Sequence, residues 1–236
     1  EISGMMYNKT QVALLRMCTH LVHFSLCEGQ ITMFELPQSV RTLHFVKSSV
    51  TMSKVLNSVK VVTLISSNFH DFGKYMPNVE ALNMSQINHL PAQMIATTYK
   101  QQLRVIKLRE SDGISNCGVK TICDSCQSLQ VVDISHNPAL LPDSVAYIAD
   151  TLTHLHTLCV NGLHLSNDVF ASVTTSSLVR FEMNNTDGYT HEGIKLLMFG
   201  CARLQKISAN SEYLTPLVCS VWRGMRPELQ FVSEAD

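Results

Sequence analysis

Apolar and polar positions alternate along this chain in one recurring phrase, apolar-x-x-apolar-x-apolar. The phrase reads Leu21/Phe24/Leu26, Val40/Leu43/Phe45, Val59/Val62/Leu64 and Val79/Leu82/Met84 in the first part of the chain. It continues as Leu103/Ile106/Leu108, Leu129/Val132/Ile134, Leu155/Leu158/Val160, Leu178/Phe181/Met183 and Leu204/Ile207/Ala209, and a partial copy stands at Leu229/Val232. Successive copies start about 20 positions apart up to Val79 and about 25 apart from Leu103 onward, the step size of a solenoid. The last two apolar positions of each copy are two residues apart, the spacing of one strand face. A strand that returns every twenty-odd residues predicts an α/β solenoid of about nine to ten repeats. The phrases form a curved parallel sheet on the concave side. Parallel neighbours need a crossover, so the return segments form the convex side as short helices or extended stretches.

The returns differ along the chain. In the second half Ser115, Ser166 and Thr190 stand where a helix begins, and their hydroxyls suit the unpaired first-turn N–H groups. Pro142 suits the same slot because a first-turn N–H has no intrahelical partner. Gly118 and Gly193 each lie eight residues before a cysteine, Cys126 and Cys201. That repeated offset predicts helices of two to three turns. In the first half the gaps between phrases are shorter, and Pro37, Pro77 and Pro91 punctuate them. Extended or single-turn connections are expected there, with longer helices from about Pro91 onward. The expected organisation is one domain over residues 1–236. Short repeats, each of roughly 20 residues, fill 1–102, and longer cysteine-containing repeats, each of roughly 25 residues, fill 103–228. A C-terminal cap covers 216–236.

The best copy, Cys126-x-x-Leu129-x-x-Val132-x-Ile134, together with helix starts such as Ile114-Ser115-Asn116-x-Gly118, resembles leucine-rich repeats. The second half resembles their cysteine-containing subclass, as in F-box proteins with such repeats. The resemblance covers nearly the whole chain at the level of the strand phrase. It implies a protein-binding surface. It also implies a set of roles: substrate recognition in a cullin-type ubiquitin ligase, if an F-box precedes residue 1, or work as an adaptor, regulator or assembly factor.

Composition narrows the picture. Hydrophobic residues make up 45% and charged residues 16%, which suits a well-buried chain rather than disorder. The net charge of −1 argues against nucleic acid as a partner, since phosphate binding needs clustered Lys and Arg. No run of about 18 apolar residues is present, so no membrane-spanning helix is expected. Cys18, Cys126 and Cys201 each stand three residues before a phrase's first Leu, where a cysteine acts as a small core hydrophobe. Neighbouring copies carry Leu56, Met76 and Leu152 at that place. This usage points to a reducing, intracellular compartment, cytoplasmic or nuclear.

Candidate chemistry is sparse. Cys123-x-x-Cys126 is half of a zinc or redox motif without a second pair at usable spacing. His154 and His156, with Cys159 and His164 nearby, form the densest set of metal-type ligands, and edge histidines are the simpler reading. There is no nucleophile elbow, phosphate-cradling loop or dinucleotide fingerprint. No catalytic residue, metal or cofactor is expected, and the chain reads as a non-enzyme.

The remaining surface is the concave face. Alternation assigns three outward columns. One runs through Val61, Ala81, Val105, Val131, Thr157 and Arg180. A central one includes Lys107, Asp133, Cys159 and Glu182. A third includes Val46, Ile65 and Arg109. The valines and Ile65 form an apolar strip on a polar face, a pattern that marks partner sites. Lys107, Arg109, Asp133, Arg180 and Glu182 beside it are mixed in sign and suit specificity. The expected function is a scaffold or adaptor that binds a protein through Val61, Ile65, Val105, Lys107, Arg109, Val131, Asp133, Arg180 and Glu182. The alternative is a structural subunit of a multi-subunit complex.

Overall fold

The structure is a computed structural model and describes residues 2–3, 15, 17–34, 36–69, 71–173 and 177–233. Its strands are β1 (Ile2–Ser3), β2 (His23–Cys27), β3 (Gln30–Phe34), β4 (Thr42–Val46), β5 (Ser49–Met52), β6 (Val61–Ile65) and β7 (Asn68–Phe69). They continue as β8 (Ala81–Ser85), β9 (Val105–Arg109), β10 (Val131–Asp133), β11 (Thr157–Cys159), β12 (Arg180–Met183), β13 (Lys206–Ala209) and β14 (Gln230–Ser233). The helices are α1 (Phe72–Tyr75), α2 (Ala92–Tyr99), α3 (Asn116–Ser125), α4 (Pro142–Thr151), α5 (Asn167–Ser172), α6 (His191–Gly200) and α7 (Pro216–Met225). Eleven strands form one parallel sheet in the order β1-β2-β4-β6-β8-β9-β10-β11-β12-β13-β14. Apart from β1 the order follows the recurring phrase, copy after copy. The result is the leucine-rich-repeat solenoid.

The second and third apolar residues of each phrase point into the stack. Leu43 and Phe45, Val62 and Leu64, Ile106 and Leu108, and Phe181 and Met183 are all buried. The first residue of each phrase from Val40 onward is buried as well, at the approach to its strand. Buried Cys126 and Cys201 pack beneath it, and the Cys201 thiol donates to the Val173 carbonyl at 3.0 Å. Cys18 departs from the expectation. It is exposed rather than a core position. No cysteine among the described residues is in a disulfide.

The convex side changes character near Pro91. In front of it, β3, β5 and β7 form a second, three-stranded parallel sheet. These short returns leave room for an extended segment and at most the single helical turn of α1. Phe24, Phe45, Phe69, Phe72 and Tyr99 line up there as a chain of rings 5.7–6.3 Å apart. Behind Pro91 the longer returns become helices. Ser115 accepts from Gly118 N and Thr190 from Glu192 N, and Pro142 opens α4. Ser166 precedes α5 but its side chain makes no capping bond, so that expectation fails. Gly193 has a packing reason: a Cβ there would run into the Phe170 ring and the Asn167 side chain of the preceding return.

Three backbone devices repeat with the phrase. The first sits where the chain enters each strand. The carbonyls of Val22, Arg41, Lys60, Glu80, Arg104, Gln130, His156 and Val179 each accept two N–H groups from the next repeat, at 2.8–3.2 Å. Both lone pairs of the oxygen are thereby used. The second sits where the chain leaves. Glu28, Lys47, Ser66, Gln86, Glu110, His136 and Asn185 all have φ between 47° and 59°. The left-handed conformation costs a non-glycine residue about 1–2 kcal/mol. It turns the chain out of the sheet while the N–H still bonds the next repeat, as in Lys47 N to Ile65 O at 2.8 Å and His136 N to Asn161 O at 2.7 Å. In one repeat the place is taken by Gly162 (φ 68°), where a Cβ would strike the His136 ring.

The third device is a ladder one residue further on. Ser48 Oγ accepts from Gly29 N, and Ser67 Oγ from Ser48 N. Ser111 Oγ accepts from Ile87 N, and Asn137 Oδ1 from Ser111 N at 2.8 Å. Asn137 Nδ2 also donates to the carbonyls of Leu108, Ile134 and Ser135. These groups are out of water, so each missing bond leaves a buried polar atom unsatisfied. Asn137→Ala is therefore expected to destabilise the chain by about 3 kcal/mol. Chemical denaturation followed by circular dichroism measures it, and a loss below about 1 kcal/mol would contradict the ladder's role.

Candidate functional site

The strand register fixes the concave face. Val61 pairs with Ala81, Ala81 with Val105, and Val105 with Val131. The same column continues through Thr157, Arg180 and Lys206. The central column runs Asn83, Lys107, Asp133, Cys159, Glu182 and Ser208. Val46, Ile65, Ser85 and Arg109 form the third. Strands about 4.8 Å apart bring such neighbours into contact.

The structure separates the nine residues expected at a site into two groups. Val61, Ile65, Val105 and Val131 occupy the middle of the array, where Val61 is 37% exposed and the others are partly exposed. Val61, Ala81, Val105 and Val131 make one contiguous apolar strip, and Ile65 lies beside Val46 two columns away. Lys107, Arg109, Asp133, Arg180 and Glu182 lie toward β9–β12.

Asp133 differs from the outward, accessible carboxylate that alternation suggested. Its side chain is 1% exposed, because the Arg109 guanidinium lies across it and donates through Nε and Nη2. Its other oxygen accepts from Ser135 N at 3.1 Å. Arg180 covers Glu182 in the same manner, leaving the carboxylate 13% exposed. Burial pushes the Glu182 carboxyl up, but donors from Cys159, Arg180 and Asn161 outweigh it and hold the group below its ordinary range. Cys159 sits between the two carboxylates, buried in the central column. Burial first, and the Asp133 and Glu182 charges next, push its thiol far up, so it remains protonated.

The metal-type clusters do not assemble. Burial raises Cys123 to about 12, with smaller contributions from Asp124 and Cys126, and raises Cys126 to about 11. Both are packing thiols rather than thiolates. His154 is exposed, His156 stands at the entrance to β11, and His164 pairs with Asp187 at 2.7 Å on the opposite rim. No group of three ligating side chains gathers among the described residues. Among these residues no helix is long and apolar enough to cross a membrane.

Two features escaped the sequence reading. A cavity of about 530 Å³ opens where the convex strands give way to helices, lined by Phe69, Phe72, Met84 and Met94 with Asn68 and His89 at its edge. The convex side of α6 and α7 carries Leu196, Phe199, Leu217, Val221 and Met225 as exposed apolar side chains, Leu217 at 76%. The i, i+4, i+8 spacing of the last three was readable in the sequence as one helix face.

No protein-family profile matches this chain, and no curated protein does. Solved structures do. An internalin, InlF, from Listeria monocytogenes superposes with a TM-score of 0.53 at 14% identity, over 82% of this chain and 55% of that one. The chain thus spans little more than half of InlF's length. Internalin C2 of the same organism gives 0.52 at 15% identity, over 80% of each chain. At such identities the likeness establishes the leucine-rich-repeat fold.

The covered carboxylates make a testable pair. Arg109→Ala should cost about 2–3 kcal/mol, because it leaves Asp133 charged and buried while water gains some access. Adding Asp133→Asn should recover most of that loss. Equilibrium denaturation of the two single variants and the double variant checks it, and strictly additive losses would refute the coupling.

Proposed function

We propose that this chain is a non-catalytic binding module that holds a protein partner on the concave face of its sheet. The observation that carries this reading is the contiguous strip of Val61, Ala81, Val105 and Val131 on an otherwise polar surface, with Ile65 beside Val46 two columns away. A fixed array of stacked strands presents that strip with little conformational freedom left to lose, which keeps the ordering cost of binding low. Lys107, Arg109, Arg180 and Glu182 flank it and supply polar specificity.

One observation favours a second reading. The apolar side chains of α6 and α7 lie on the convex side, away from the strip. They suit a structural subunit that docks its back onto a larger assembly.

Paired substitutions separate the two readings. Val61→Asp with Val105→Asp places two charges in the strip, and Phe199→Asp with Leu217→Asp does the same on the convex patch. Affinity capture of partners from cell extract, with each variant checked for an unchanged thermal midpoint, is the measurement. The first pair is expected to reduce capture at least about tenfold, the second to leave it intact. The reverse outcome would replace the concave reading with the assembly reading.

A further inference from the structure

The concave columns from β2 to β13 hold four cations, Lys107, Arg109, Arg180 and Lys206, and two carboxylates, Asp133 and Glu182. By formal charge this is a modest excess in a chain whose net charge is −1. By exposure it is lopsided. Both carboxylates lie beneath the arginines that pair with them, whereas Arg109 and Arg180 keep 43% and 45% of their side-chain surface in solvent. Lys107 and Lys206 are partly exposed, and among the described residues neither has a carboxylate within ion-pair distance.

The acceptor capacity of the two carboxylates is spent inward. Asp133 accepts from Arg109 and from Ser135 N, and Glu182 accepts from Arg180, Cys159 and Asn161. A guanidinium has five N–H donors, and these pairs leave part of each fork for a ligand. What a partner meets at this end of the face is therefore a set of donors and positive charge, fixed in place by buried anions. The mixed signs of the sequence become one sign at the surface.

Position along the array adds direction. In a single column the residues run Val61, Ala81, Val105, Val131, Thr157, Arg180, Lys206. Six strand steps at about 4.8 Å span roughly 29 Å, the length of about nine extended residues. The column is apolar for four strands and cationic for the last two, and Lys107 and Arg109 lie on the same strand as Val105, within reach of the apolar stretch.

We propose that the concave face takes an acidic–apolar polypeptide segment laid across the strands. Its apolar side chains cover Val61 to Val131, and its carboxylates meet Lys107, Arg109, Arg180 and Lys206. This rests on the concave binding reading given above. A nucleic acid fits the same face less well. Valines offer nothing to a phosphate backbone, and four cations are few for one.

The test begins with a display library of random peptides of about twelve residues, panned on the purified chain. The enriched peptides are synthesised with a fluorophore and their affinities measured by anisotropy. The variants are Val105→Asp and the double reversal Lys107→Glu/Lys206→Glu. The lysines are chosen because reversing an arginine would uncover a buried carboxylate and perturb the fold. Thermal midpoints within a few degrees of the parent confirm that each variant is folded.

Enriched peptides are expected to carry net negative charge beside an apolar cluster. Their affinity is expected to fall at least about tenfold in the double reversal and to weaken steeply between about 50 and about 300 mM salt. Neutral or basic peptides, or affinity unmoved by the double reversal but lost in Val105→Asp, overturn the acidic partner while leaving the concave site in place. Peptides indifferent to both variants overturn the concave site itself. A selection that enriches nothing, or a 20-nucleotide single strand that displaces the peptides at equal affinity, also overturns the proposal.

Discussion

A single repeat of this chain offers two or three apolar residues on its strand and a few more on its return, as Val119, Ile122 and Cys123 do, which is too little to bury alone. Each repeat is ordered only because a neighbour covers it on either side. That stacking constraint shapes everything else. It requires a parallel register that never slips, because a one-residue shift would turn Leu43, Val62 or Ile106 out to solvent. The chain secures the register with backbone groups at the strand entrance and exit and with the ladder of Ser48, Ser67, Ser111 and Asn137. One carbonyl per repeat accepts two N–H groups at the strand entrance, and a left-handed residue directs another at the exit.

The same constraint explains why the concave face can be a binding surface. Inward positions are committed to the stack, so outward positions carry little of the fold's stability and are open to other uses. Three of them across β6, β9 and β10 are valines, residues a polar surface does not require. Toward β12 the outward positions are charged, but two of those charges are consumed beneath arginines. The arginines are thereby positioned without a long search through rotamers, and each buried anion stabilises the cation that covers it.

Much of the architecture was legible in the sequence because hydrophobic spacing is a direct consequence of stacking. The phrase positions predict the sheet and its register, and the change in repeat length accompanies the change from convex strands to convex helices near Pro91. The exit turns were not legible. Glu, Lys, Ser, Gln and His do not advertise a left-handed conformation as glycine would, and only the repeated bond to the next strand accounts for them. The Ser48, Ser67, Ser111 and Asn137 ladder was hidden for a related reason: different residue types fill the same slot. At the candidate site, alternation gave the direction of Asp133 but not its cover. Burial depended on the long side chain of Arg109, from the neighbouring strand, and no period along the chain encodes that contact.

Hydrogen–deuterium exchange of the chain, alone and saturated with a bound partner or selected peptide, tests the account most directly. Protection is expected to concentrate on residues 61–65, 81–85, 105–109, 131–133 and 180–183, the concave strands that carry the valine strip and the covered carboxylates. Protection confined instead to residues 191–200 and 216–225, the two helices with the exposed convex side chains, would contradict it.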